Sequence, residues 1–148
     1  MAEMLKVFSP YDGHLISELE LDDEIKSLGM LETAYRLAQN PNSAPPLHER
    51  IAILERTADL IEKHKEDFAR QSAEEGGKPL IDSRVELIRA VQGIREAARS
   101  VNQVVGREIP MGLTLFSAHR KAWTVREPIG TVIALSAFNH PFNLIVHQ

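Results

Sequence analysis

The stretch that most constrains this chain is its last one, Thr131-Val-Ile-Ala-Leu135 followed by Ser136-Ala-Phe-Asn-His140 and Pro141. A short, nearly continuous apolar run suits a strand covered on both faces. The polar turn interrupts it, and Pro141 suits the first position of a helix, where its missing N–H is not needed. Strand, tight turn and helix in this order read as part of an α/β architecture with a parallel sheet. Asn139 then stands at the carboxyl end of a buried strand, which is where ligands sit in open α/β sheets. A plainer role is also open to it, as the cap of the helix begun by Pro141.

The chain before this stretch reads as mostly helical. Lys6 to Ser9 and Leu15 to Leu21 flank the turn-forming Pro10-Tyr-Asp-Gly13 and predict a half-buried hairpin. Asp22 is placed to cap a helix from about Asp23 to Gln39, with Ile25, Leu28, Leu31, Tyr35 and Ala38 on one face. Asn40 to Pro46 breaks the chain. A helix follows from Leu47 to His64 on Ile51, Leu54, Ala58 and Ile61. A shorter one carries Phe68 and Ala73 and stops at Gly76-Gly77. Pro79 opens the longest, to about Val105, with a predicted buried stripe of Ile81, Val85, Ile88, Val91, Ile94, Ala98, Val101 and Val105. After Gly106 the period turns alternating. Ile109, Met111, Leu113 and Leu115 predict one strand and Lys121 to Arg126 another, paired antiparallel.

Bulk properties narrow the partners. Of 148 residues, 43% are hydrophobic and 26% charged, an ordinary globular balance. The net charge of −4 with no basic run argues against nucleic acid. The chain has no cysteine, so it forms no disulfide and no thiolate metal site. No run approaches the roughly 18 apolar residues of a membrane helix, and the amino terminus lacks a signal pattern. The expectation is a cytoplasmic protein with no membrane partner.

The segment EPIGTVIALSAFNHPFNL, Glu127 to Leu144, resembles the aldehyde dehydrogenase superfamily, whose corresponding segment runs E-P-x-G, apolar strand, then aromatic-Asn-x-Pro turn. Order, spacing and chemistry agree together over about twenty residues, and the helical part before them is similar to the family's amino-terminal part in layout. The resemblance implies an α/β fold. Residues 1–106 would be the hairpin and helical part of the cofactor-binding domain, 107–126 an oligomerisation-type strand pair, and 127–148 the start of the parallel sheet. It also implies a homo-oligomer, dimer or tetramer, and NAD or NADP as cofactor. Neither a G-x-G-x-x-G sequence nor a P-loop occurs, but the family's nicotinamide site does without that fingerprint.

What the resemblance implies for individual residues is specific. Asn139 matches the family's catalytic Asn, whose amide stabilises the oxygen of a thiohemiacetal. Leu135, Ser136, Ala137 and Phe138 match positions that line the cofactor, although plain core packing would also account for Leu135 and Phe138. His140, Asn143, Leu144 and His147 are spaced i, i+3, i+4, i+7 and so share a helix face. Matching positions border the family's aldehyde entry channel, and His147 falls where relatives acting on carboxylated semialdehydes carry an Arg. A polar face there points to a small polar aldehyde, hydroxylated or anionic. Two His one heptad apart without a third ligand do not make a metal site.

Other polar residues have quieter readings. Glu127 is not placed to act as a base, and Gly77-Lys78-Pro79 resembles a family tripeptide of structural use. His48 and Glu49 simply begin a helix, and Trp123 reads as a packing or interface anchor.

Covalent aldehyde oxidation needs a thiolate to attack the carbonyl, and this chain has none. The family's nucleophile and general base lie beyond the point matching Gln148. The 148 residues are therefore expected to be an inactive amino-terminal portion of a longer enzyme, with a parallel strand lacking its partners. Two alternatives are a short non-catalytic interaction module that keeps the family's amino-terminal region, and an unrelated helical domain with a chance motif.

Overall fold

The periodic run after Pro79 becomes the helix on which the others pack. The structure, a computed structural model, describes residues 3–40 and 42–148. Its elements are β1 (Met4–Phe8), β2 (Leu15–Glu20), α1 (Glu24–Ala38), α2 (Leu47–Lys63), α3 (Lys65–Gly76), α4 (Leu80–Ser100), β3 (Glu108–Ile109), β4 (Ala122–Trp123) and α5 (Pro141–His147). Short 3-10 turns lie at Val101–Gln103 and Leu115–Ser117. The two sheets are antiparallel pairs, β1 with β2 and β3 with β4. Among the described residues no helix is long and apolar enough to cross a membrane.

The core is formed by Ala58 and Ile61 of α2, Ala69 of α3, and Leu87, Val91 and Ile94 of α4. Leu54, Phe68, Leu80, Phe142 and Val146 close over it. Phe142 reaches it from α5, with its ring centroid 4.9 Å from that of Phe68. Small residues where helices meet (Ala58, Ala69 and Ala90 are fully buried) let the backbones approach closely.

The buried stripe of α4 agrees with the predicted one at Val91, Ile94 and Ala98 but departs from it in the first half. Ile81 is 64% exposed, and Val85 and Ile88 are exposed too. Ser83, Glu86, Leu87 and Ala90 face inward there instead. Both series step by three or four, so period alone cannot choose between adjacent faces. Packing of α2, α3 and α5 on one side decides, and it carries a glutamate inside. Pro79 precedes the helix as its N-cap, and the helix ends at Ser100 rather than near Val105.

Other expectations shift locally. Asp23, not Asp22, caps α1, its carboxylate accepting from the Lys26 N–H at 2.7 Å. Asp22 pairs with the Lys26 ammonium instead. The predicted apolar face of α1 covers nothing: none of its residues is buried, and Ile25 is 83% exposed. The alternation from Ile109 to Leu115 yields only a two-residue strand. Pro110 offers no N–H for a ladder, and Gly112 turns the chain at φ +85°. The second strand is likewise only Ala122–Trp123. Thr131 to Leu135 forms no hydrogen-bonded strand, because no neighbouring strand lies beside it among the described residues. Val132, Ile133 and Leu135 stand exposed there.

Two glycines fix junctions. Gly77 ends α3 at φ +63°, and a Cβ there would sit 2.9 Å from Pro10 Cγ of the hairpin turn. A Cβ on Gly106 would fall 1.6 Å from the Thr124 carbonyl oxygen, so only glycine lets the chain before β3 lie against the backbone after β4.

The hairpin turn is also held electrostatically. His14 Nδ1 lies 2.6 Å from Asp12 Oδ1, and Nε2 lies 3.1 Å from Glu74 Oε1 on α3. The bond to Asp12 is the main reason the His14 pKa stands above its ordinary value, and the same bond holds the Asp12 carboxyl down to about 2. A raised His pKa contributes stability fully present below the unfolded value of 6.5 and lost as pH rises through the folded one. The depressed Asp12 contribution fails only in acid, between 3.8 and about 2. Hydrogen exchange at residues 11–15, corrected for intrinsic rates, should therefore show stronger protection at pH 6 than at pH 8.5, and His14→Gln should abolish that difference. Equal protection at both pH values would show that the contact holds nothing.

Candidate functional site

The turn from Leu135 to His140 is anchored from two sides. Gln148 Nε2 donates to the Leu135 carbonyl at 2.5 Å, tying the end of α5 back to the end of the apolar run. Pro141 takes the first helical position as its fixed φ favours, and His140 is the N-cap, with no side-chain capping bond of its own. Asn139 therefore does not cap this helix. The capping group comes from α4.

Glu86 is the residue that sequence reasoning missed. Only 2% exposed, it points from α4 at the start of α5. Its Oε1 accepts the Phe142 N–H at 2.8 Å and the Asn143 N–H at 2.9 Å. Its Oε2 accepts from the Lys78 ammonium at 2.5 Å. Lys78 also donates to His140 Nδ1 at 2.9 Å. Burial alone would raise the Glu86 pKa, but the Lys78 bond and the two backbone N–H bonds outweigh it and hold the carboxyl below its ordinary value. Nothing in the sequence marked Glu86, since it lies between the apolar positions Val85 and Leu87. Only its three-residue distance from Ser83 and four-residue distance from Ala90 hinted at an inward face.

Two cavities flank this junction. One of about 600 Å³ is lined by Pro10, Ser72, Glu75, Gly76, Lys78, Phe138, Asn139 and Pro141. The other, about 290 Å³, is bordered by Lys78, Asp82, Glu86, Arg89, His140 and Asn143 among others. His140 and Asn143 are thus brought together as their spacing implies. Leu144 is half-buried, and His147 lies beside α4, its ring 3.8 Å from where a Cβ on Gly93 would be. Neither lines that cavity. The fixed positive charge there is Arg89, which enters no ion pair among the described residues; Lys78 is neutralised by Glu86. The Asn143 amide oxygen is buried without a hydrogen-bond partner among the described residues.

Leu135 and Phe138 are 83% and 93% exposed, Ser136 is exposed and Ala137 half-buried. Their apolar faces are not covered by the described residues. Among the described residues no group of three His, Asp or Glu could hold a metal ion.

This geometry meets a clear family match. The Aldehyde dehydrogenase family model matches residues 1–148, and the chain belongs to that family. It is 31% identical over 150 residues to a 3-sulfolactaldehyde dehydrogenase of Priestia aryabhattai, covering 99% of this chain and 30% of that one. Among solved structures, aldehyde dehydrogenase 21 of Physcomitrella patens, in complex with the reaction product succinate, aligns with TM-score 0.92 at 25% identity over 99% of this chain and 30% of its own. The glyceraldehyde-3-phosphate dehydrogenase GapN of Methanocaldococcus jannaschii, complexed with NADP, aligns with TM-score 0.86 at 29% identity, again over 99% and 30%. The chain spans about 28–32% of the length of the curated relatives it matches.

The buried pair at the junction makes a stability prediction. Removing one partner of a buried ion pair costs about 3–5 kcal/mol, because the other charge is left uncompensated. Lys78→Met should fall near the lower end of that range, since two N–H donors remain on Glu86. Urea unfolding monitored by far-UV circular dichroism measures it. Because the Glu86 pKa is depressed, the wild-type advantage should be full above the ordinary value of 4.5 and shrink as pH falls through the folded one.

Proposed function

We propose that these residues are the amino-terminal portion of an NAD(P)-dependent enzyme that oxidises a small polar aldehyde to its acid. The observation that carries this reading is the conjunction of the family match over the whole chain with Asn139 lining a cavity beside uncovered Leu135 and Phe138. The broad exposed apolar surface on α1 and between Leu113 and Leu135 agrees with it, since a self-sufficient chain of this size rarely leaves so much uncovered.

In this reading a cysteine thiolate outside these 148 residues attacks the aldehyde carbon, giving a thiohemiacetal. The Asn139 amide donates a hydrogen bond to the resulting oxyanion. NAD(P), when bound, accepts the hydride that leaves the carbon. Leu135, Ser136, Ala137 and Phe138 supply the surface on which the cofactor rests. Hydrolysis of the remaining thioester releases the acid. The 148 residues alone supply no nucleophile and turn nothing over. The strand pair β3–β4, with Trp123 and Val125 exposed, serves a homo-oligomer. Asn139→Ala in the complete enzyme should lower kcat on the order of 10²–10³-fold, the loss typical of one oxyanion donor, while cofactor affinity stays unchanged. A kcat within threefold of wild type would remove Asn139 from the chemistry.

The substrate side carries a finer proposal: a hydroxylated or anionic aldehyde. Arg89, in no ion pair among the described residues, supplies a cation at the cavity bordered by His140 and Asn143. The relatives named for sulfolactaldehyde and lactaldehyde act on substrates of that chemistry. Arg89→Leu and His140→Leu, both at that cavity, should each raise KM for anionic aldehydes more than for neutral ones of the same length. Equal effects on both classes would show that neither residue reads the charge.

A further inference from the structure

We infer that Glu86 is a positioning residue for Asn139: its buried carboxylate clamps the first turn of α5 to α4 and so sets where the turn carrying Asn139 stands. The inference rests on the oxyanion reading of Asn139 and extends it to a residue on a different helix.

The geometry supports a clamp rather than a chance contact. α5 has only seven residues, too short to hold its own first turn in water. The turn before it is exposed over Leu135, Ser136, Phe138 and Asn139, so local packing does little to fix it. Two anchors restrain α5: Phe142 and Val146 against the core, and Glu86 on the Phe142 and Asn143 N–H groups. The apolar contacts fix depth but are non-directional. Two charge-assisted hydrogen bonds from one rigid helix fix rotation and register, and Asn139 is only three residues before the first bonded N–H. Lys78, bonded to both Glu86 and His140, adds a second strut to the same turn. A misplacement of about 1 Å in such a group can cost on the order of 10² in rate.

The experiment uses the complete enzyme with active sites titrated, so that kcat is expressed per competent site. Glu86→Leu removes the acceptor. Glu86→Gln keeps an amide oxygen for the two N–H groups while losing the charge. The expected result is a 10- to 100-fold fall in kcat for Glu86→Leu, with KM for NAD(P) unchanged and faster hydrogen exchange at Phe142 and Asn143. Glu86→Gln should stay within about fivefold and keep both amides protected. In an Asn139→Ala background, Glu86→Leu should cost almost nothing further, because its effect runs through that side chain. If Glu86→Leu proves insoluble, Glu86→Asp, shorter by one methylene, carries the same comparison with a smaller loss.

Full additivity of the Glu86 and Asn139 substitutions, or an unchanged kcat per site despite faster exchange, would overturn the inference and leave Glu86 a purely structural residue. An unchanged kcat in Asn139→Ala alone would be a failure of the oxyanion reading. Exchange at Phe142 and Asn143 would then decide by itself whether Glu86 holds the turn.

Discussion

The arrangement of this chain around the turn that carries Asn139 depends on one buried charge. A carboxylate that is almost fully buried costs several kcal/mol in lost hydration unless its oxygens are satisfied. Glu86 is satisfied by two backbone N–H groups of α5 and by the Lys78 ammonium, groups that come from separate segments of the chain. None of the three could move far without exposing a charge to an apolar neighbour. The pairing therefore does more to specify one docking of α5 on α4 than to add net stability. Lys78 follows directly on the left-handed Gly77, and Gly77 meets Pro10 of the hairpin turn. The end of α3, the hairpin and the Asn139 turn are thus linked through two consecutive residues, Gly77 and Lys78.

Outside this junction the chain is unevenly packed. α2, α3 and α4 share a core of small and medium side chains, whereas α1 buries nothing and the segment from Leu113 to Leu135 is exposed. Apolar side chains on those surfaces were selected by something other than the contacts seen here. The curated relatives are about three times longer, and the segments that would face such added length are the ones left uncovered here.

How legible each part was depended on whether its determinants are local. Pro141 at the start of α5, Gly77 at the end of α3 and the hairpin around Pro10 to Gly13 follow from backbone preferences of single residues, and all three appear as read. Thr131 to Leu135 reads as a strand from its apolar run, but a strand exists only through hydrogen bonds to a neighbour. The stripe on α4 failed in part, for a different reason. It held at Val91, Ile94 and Ala98, but in the first half the partner helices bury a face that includes the polar Ser83 and Glu86 in place of Ile81, Val85 and Ile88.

By itself the sequence determined the helix-rich layout, the turn chemistry and the family, because these rest on local propensity and on a motif contiguous in the chain. The tertiary structure alone decided that Glu86 faces inward and caps α5, that Lys78 joins it to His140, and that Arg89 stands at the cavity with Asn143. The bonded groups lie up to 62 residues apart. Hydrogen bonding and desolvation act on distance in space, and separation along the chain does not encode it.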